Sequence, residues 1–198
     1  MTTPRNLALL FTCEHGGNDI PPPLAHLFPR ARSVLSSHRG FDLGILPIAT
    51  ALARELHAPL ITSTVSRLVC DLNRSLHSPT LFSEFTRGLS ASGRNHLLDL
   101  YYHPFRRDVV AAIEHILHNG GIVIHLSIHS FTPVWKGKTR PTHIGLLYDP
   151  ARPREVQFAR TWRARLPPPP PPLPLPPQPP LPGPSQRPLP PPPSPPPP

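Results

Sequence analysis

Cysteine is nearly absent from this chain: Cys13 and Cys70 are the only two among 198 residues. They lie far apart and form no CxxC pair, which argues against a thiolate zinc finger and against a disulfide-stapled secreted scaffold. A reduced, cytoplasmic protein is the expectation. Acidic residues are also scarce, 11 against 20 lysines and arginines, leaving a formal net charge of +9. The cations form no lysine-rich helix and no basic run interleaved with aromatics, so nucleic acid is not the expected partner. Such a balance suits a small anionic ligand instead. Long hydrophobic runs are missing too. The opening NLALLFTC is too short to cross a bilayer and lacks the layout of a signal peptide, so no membrane association is expected.

Proline is the exception to this economy. The chain holds 35, and they crowd the end: from Leu166 to Pro198 there is little else. Proline fixes φ and has no amide donor, so this segment forms neither a helix nor a paired strand interior. A solvated polyproline II rod is expected, up to about 100 Å long at ~3.1 Å per residue. The folded part is therefore expected over residues 1–165, with residues 166–198 as a disordered proline-rich tail. A length of about 165 residues buries a core without staples.

Along the folded part, NLALLF reads as a buried strand leading into the polar loop TCEHGGNDIPPP. FDLGILPIATALARELH has apolar residues at helical spacing, with Asp42 placed to cap its start and Pro47 in or near the first turn. APLITSTV reads as a second strand, followed by the loop SRLVCDLNRS. GRNHLLDLYYHPFRRDVVAAIEHILHNGG reads as a helical stretch broken near Pro104. It carries Phe105, Val109, Ile113 and Ile116 on one stripe and a glycine stop. IVIHLSI and THIGLLYD read as further strands, and REVQFARTWRARL as a helix. Strands alternating with helices predict an α/β domain, a mostly parallel sheet with helices on both faces. In such folds ligands gather at the carboxyl ends of the strands. His15, the RLVCDLNR loop and His129 all follow strands and are expected to meet at one rim.

Two imidazoles from separate strand ends with one carboxylate make a three-ligand set for catalytic zinc that leaves a position open. His15 and His129 are the imidazoles; Glu14 and Asp42 are the candidate carboxylates, with Asn18 a weaker oxygen donor. Histidines with a carboxylate suit zinc, or another divalent transition metal, better than magnesium. The plainer reading of His129 is a hydrogen-bonded histidine near the core. Asp71 and Arg74 read as a local ion pair that fixes their loop. Asn73 beside Arg74, with Arg67 upstream, also offers a planar fork and an amide suited to a substrate carboxylate. Arg140 and Lys136 add positive charge to the rim or face water, and His38 with Arg39 forms a second polar cluster or a solvated loop.

Four blocks in this order, TCEHGGNDIP, SHRGFDLG, TSTVSRLVCDLNRS and SIHSFTPVWKGKTRPTHIGLLYD, resemble the N-formylglutamate amidohydrolase family, which is related to the zinc carboxypeptidase and aspartoacylase group. The resemblance runs from the first strand to about Trp162. It implies a three-layer α/β/α fold with a mostly parallel mixed sheet, incomplete at its C-terminal end. It implies metal-dependent hydrolysis of N-formyl-L-glutamate to formate and glutamate, a terminal step of one route of histidine degradation. His15 and His129 resemble the two metal histidines. Asn18 stands where the wider group carries a glutamate, and Asp42, at the start of the following helix, is assigned in its place, with Glu14 the alternative. Asn73 and Arg74 resemble a carboxylate clamp, with Arg67 and Arg140 as further substrate contacts. Family members also carry a late glutamate resembling a general base. No glutamate follows Glu155 here, so Glu14 is the candidate to stand in for it. The switch to nearly pure proline is read as a shifted reading frame or a truncated gene model. Two other readings keep their place: hydrolysis of a different N-acyl amino acid, and a non-catalytic protein whose PxxP-containing tail docks into a proline-binding groove.

Overall fold

The computed structural model describes residues 7–135 and 137–168. The chain forms two compact units with their boundary between Arg140 and Pro141. Lys136 and the proline tract from residue 169 onward lie outside the described residues, and so do the expectations that fall on them.

The first unit is built on three parallel strands, β1 (Leu7–Cys13), β2 (Leu60–Thr62) and β3 (Ile122–Ser127), in the spatial order β2-β1-β3. A central parallel strand is covered on both faces and so reads as a continuous apolar run. The run LALLFTC, buried from Leu10 onward, follows that rule. On one face Leu10, Ile61 and Val123 pack with Phe105, Val109, Ile113 and Ile116 of α4 (His103–His118). On the other, Cys13, Leu60 and Ile128 pack with Ile45, Leu46 and Ala49 of α2 (Ile45–Glu55). Helix, sheet and helix thus form the expected layers, on a sheet of three described strands. The short α1 (Arg32–Leu35) and α3 (Ala91–Leu97) belong to the same unit.

Three local expectations are corrected. Asp42 does not cap α2 with its side chain; Gly44 holds the N-cap position at φ +73°, where a glycine meets no Cβ penalty. The Asp42 carboxylate is turned instead toward His129 and Arg67, whose donors hold a buried carboxylate more strongly than a helix amide does. The helical path is also not broken at Pro104. A π turn over Leu98–Tyr102 joins α3 to α4, with the His103 amide donating to the Leu98 carbonyl. The wider turn comes just ahead of the residue that has no amide to donate. Beyond it the expected stripe is present, and α4 ends in a Schellman motif: Gly121 donates to Ile116 and Gly120, at φ +73°, to Leu117.

The third correction concerns THIGLLYD, in the second unit. Residues 142–149 form no strand. A strand exists only where its amides and carbonyls find a neighbouring ladder, and apolar spacing cannot supply one. Ile144, Leu146 and Tyr148 instead line a shallow groove with Ala159 and Arg160 of α5 (Pro153–Arg165), the helix expected there. Glu155, in its first turn, accepts the Asp149 amide at 3.0 Å. In the first unit, a two-residue-per-strand hairpin, β4 (Val134–Trp135) with β5 (Lys138–Thr139), turns at Gly137, φ +76°. It was not legible as a strand pair.

Candidate functional site

All three parallel strands end on the same side of the sheet, and the residues that follow them converge there. The sequence order reverses direction at β1, which puts the β2 crossover on one side and β3 on the other. That crevice is the place where open α/β sheets hold ligands. His15 leaves β1, the loop of Arg67, Asp71 and Asn73 follows β2, and His129 lies just past β3. Asp42 reaches the same point because its amide donates to the His15 carbonyl at 3.0 Å.

His15, Asp42 and His129 offer ligand atoms that all lie within 4.8 Å of one another. The rings of His15 and His129 are 5.0 Å apart. His129 Nδ1 lies 2.7 Å from Asp42 Oδ2, and His15 Nδ1 3.7 Å from the same oxygen. His15 is 1% exposed and its Nε2–H donates to Asp71 Oδ1 at 2.7 Å. Its Nδ1 is the one buried side-chain polar atom without a hydrogen-bond partner among the described residues. A buried nitrogen left without a partner is costly. A metal between the three groups would satisfy it, and the carboxylate behind the imidazole is the outer partner that metal-bound histidines commonly have. The residues present therefore fit a divalent metal.

Asp71 was legible only as half of a loop ion pair. Arg74 Nε does stand 3.6 Å from it, yet its main partners are His15, Arg67 and the Asn73 amide, the last at 3.0 Å. Arg67 joins both acids, Nη1 to Asp42 Oδ1 at 3.0 Å and Nη2 to Asp71 Oδ2 at 3.2 Å. Burial alone would raise the pKa of Asp71. The hydrogen bond and charge of His15, with Arg67 and the Asn73 amide, more than offset it and bring the carboxyl down to about 2. Burial likewise pushes Asp42 up, and His129 and His15 hold it well below the usual carboxylate range. Burial pulls His15 down, but the carboxylates of Asp42 and Asp71 beside it win and raise it. The thiols are not ligands in waiting. Burial, with the charges of Glu14 and Asp42, pushes Cys13 up to about 11, and burial pushes Cys70 to about 12.

Glu14 is buried beside His15 and is not part of the three-ligand set. Its Oε1 accepts the Thr12 hydroxyl and its Oε2 the Ser127 hydroxyl, each at 2.8 Å. Asn18 is engaged elsewhere, donating to the Leu35 carbonyl. Asn73 Nδ2 lies 3.1 Å from His129 Nε2, so this amide sits at the rim, while Arg74 is half exposed next to it. Tyr102, from the π turn, donates to the Arg74 carbonyl at 2.7 Å and anchors that loop. Arg140 stacks over the Phe131 ring at 5.3 Å. His38 donates to Ser130 and Arg39 pairs with Glu84, and neither belongs to the three-ligand set. Thr12, Ser127 and Tyr102 escaped the sequence reading. For Ser127 a signal existed, since it stands two residues before His129 in an extended segment and so shares its face.

The model of the family described as N-formylglutamate amidohydrolase matches residues 7–166. Among solved structures, the crystal structure of a gene product from Agrobacterium tumefaciens is similar, with 34% identity and a TM-score of 0.69. The likeness covers 80% of this chain and 66% of that one, so the chain spans just under two thirds of its relative's length. No curated protein matches. Among the described residues no helix is long and apolar enough to cross a membrane.

Proposed function

This chain belongs to the N-formylglutamate amidohydrolase family, and on that footing we propose that it hydrolyses the amide of N-formyl-L-glutamate to formate and L-glutamate. In this reading zinc is held by His15, Asp42 and His129, and the protein acts in the cytoplasm at the end of a histidine-degradation route. The observation that carries the reading is the orphaned Nδ1 of His15, buried and turned toward Asp42 and His129. Bound there, a divalent metal supplies Lewis acidity, polarising the amide carbonyl and acidifying water.

The chain's own residues supply the rest. Asp71 fixes the His15 ring from behind, and Arg67 ties Asp71 to Asp42 so that both acids keep their orientation. Asn73 and the half-exposed Arg74 present an amide and a guanidinium at the rim for a substrate carboxylate, with Arg140 and Arg67 adding positive charge. Glu14 is the remaining buried carboxylate of the rim and takes the proton-accepting role, at Oε2. Support for the anionic substrate comes from these cations; support for the metal comes from the donor set.

The test pairs elemental analysis of purified protein with formate release from N-formyl-L-glutamate, for the parent chain and for His129→Ala. Stoichiometric zinc with turnover, both lost in His129→Ala, is the expected result. Folded parent protein that holds no metal after zinc is supplied would overturn the reading.

A further inference from the structure

Ser127 stands between a buried carboxylate and a metal-facing imidazole. Its Oγ is 2.8 Å from Glu14 Oε2 and 2.8 Å from His129 Nε2. The register of the sheet creates the arrangement: Thr12 of β1 pairs directly with Ser127 of β3. Side chains alternate along a strand, so Thr12 with Glu14, and Ser127 with His129, share one face. Two residues past the register pair, Glu14 Oε2 and His129 Nε2 lie 3.6 Å apart.

We propose that Ser127 and Glu14 form an outer relay that fixes the tautomer of His129 and so selects Nδ1 as its metal-binding nitrogen. This rests on the reading of His129 as a ligand. A serine hydroxyl has one hydrogen. Glu14 accepts it at Oε2, as it accepts the Thr12 hydroxyl at Oε1, and so is an acceptor on both oxygens. Toward His129 the same hydroxyl can then only accept. The imidazole must present Nε2–H to it, so Nδ1, which donates to Asp42 Oδ2 at 2.7 Å in the metal-free protein, is the nitrogen whose hydrogen a metal can replace. Asn73 Nδ2 lies 3.1 Å from the same Nε2; two N–H groups do not bond each other, so the proposal requires the Asn73 amide to present its oxygen to Nε2–H. His15 obeys the same logic with a different partner: Asp71 takes Nε2–H and Nδ1 faces the site. Both histidines thus face the metal through Nδ1, each backed by a carboxylate, one directly and one through a hydroxyl. Thr12 extends the relay, accepting from His125 Nε2–H at 3.0 Å while it donates to Glu14. Glu14 in this role is a positioning residue acting through Ser127.

The experiment uses full-length protein with histidine 15N-labelled and zinc bound, and reads the His129 tautomer by long-range proton–nitrogen correlation, the signal being assigned by its loss in His129→Gln. Nε2 protonated and Nδ1 on the metal is the expected pattern; the reverse overturns the proposal. Cobalt titration of Ser127→Ala and Ser127→Thr gives a second readout. Loss of an outer partner typically weakens metal affinity about 10- to 100-fold. Ser127→Ala should fall in that range, and Ser127→Thr, which keeps the hydroxyl, should restore it. Equal cobalt affinity in parent and Ser127→Ala overturns the relay while leaving the metal centre standing. A parent that binds neither zinc nor cobalt overturns the metal centre, and the relay with it.

Discussion

Arg67 and Asp71 are joined on the side of the carboxylate away from His15: the guanidinium takes Oδ2 at 3.2 Å while His15 Nε2 takes Oδ1 at 2.7 Å. The same guanidinium reaches Asp42. One cation therefore holds two acids that flank one histidine, and removing it leaves both buried carboxylates without their shared guanidinium. Breaking a buried pair by deleting one partner costs about 3 kcal/mol or more. Arg67→Ala should lower the stability of metal-free protein by roughly that amount, measured by urea denaturation. An unchanged midpoint would mean that Arg67 is not holding the site.

Asp71→Asn removes the acceptor charge behind His15 while keeping the shape. An amide can offer its nitrogen as readily as its oxygen, so the His15 ring is no longer fixed in the Nδ1-facing form. Zinc affinity should fall about 10- to 100-fold, read by competition with a chromophoric chelator. Affinity equal to the parent's would detach Asp71 from the metal site.

The pH dependence has opposite signs for folding and for metal loading. His15 is raised above its ordinary 6.5 in the folded metal-free protein. A raised group contributes stability that is fully present below 6.5 and is lost as pH rises through the folded value. Metal needs the neutral imidazole, so zinc binding should tighten over the same interval while metal-free protein loses stability. At the acid end Asp71, depressed from 3.8 to about 2, contributes stability present above 3.8 and lost as pH falls through about 2. Thermal melts of metal-free protein across these windows, beside calorimetric proton release on zinc binding, check both signs. Metal-free stability that rises from pH 6.5 upward would contradict the His15 assignment.

The loop after His15 has no room at Gly17. A Cβ there would meet the Thr64 carbonyl oxygen at 2.5 Å and the Thr64 Cα at 2.8 Å, both backbone atoms. Gly17→Ala should therefore push the loop off Thr64 and destabilise the fold by about 1–3 kcal/mol. Zinc affinity should drop with it, since His15 is carried by the same turn. Chemical denaturation and metal titration of the variant test the two effects separately.

Tyr102→Phe removes the hydroxyl that holds the Arg74 carbonyl and leaves the ring in the core. The loss of one such bond costs about 1 kcal/mol. If Arg74 receives the substrate carboxylate, KM should rise several-fold while kcat stays close to the parent's. A change confined to kcat would place Arg74 away from substrate.

The pattern of apolar runs and glycine-containing loops determined much of this protein. Parallel strands joined by crossover helices all end on one side, so His15, the Asp71 loop and His129 had to share a rim. The stripe on α4, its glycine stop and α5 were equally legible, because local spacing dictates them. Partner choice was decided only by the tertiary structure. Asp71 and His15 are 56 residues apart, Asp42 and His129 87, and Glu14 and Ser127 113. Nothing local told which acid would take which nitrogen, or that Glu14 would turn to two hydroxyls. Strand-like spacing in THIGLLYD likewise made no strand. A helix closes its hydrogen bonds within itself, whereas a strand and a buried charge both need a partner that only the folded chain supplies.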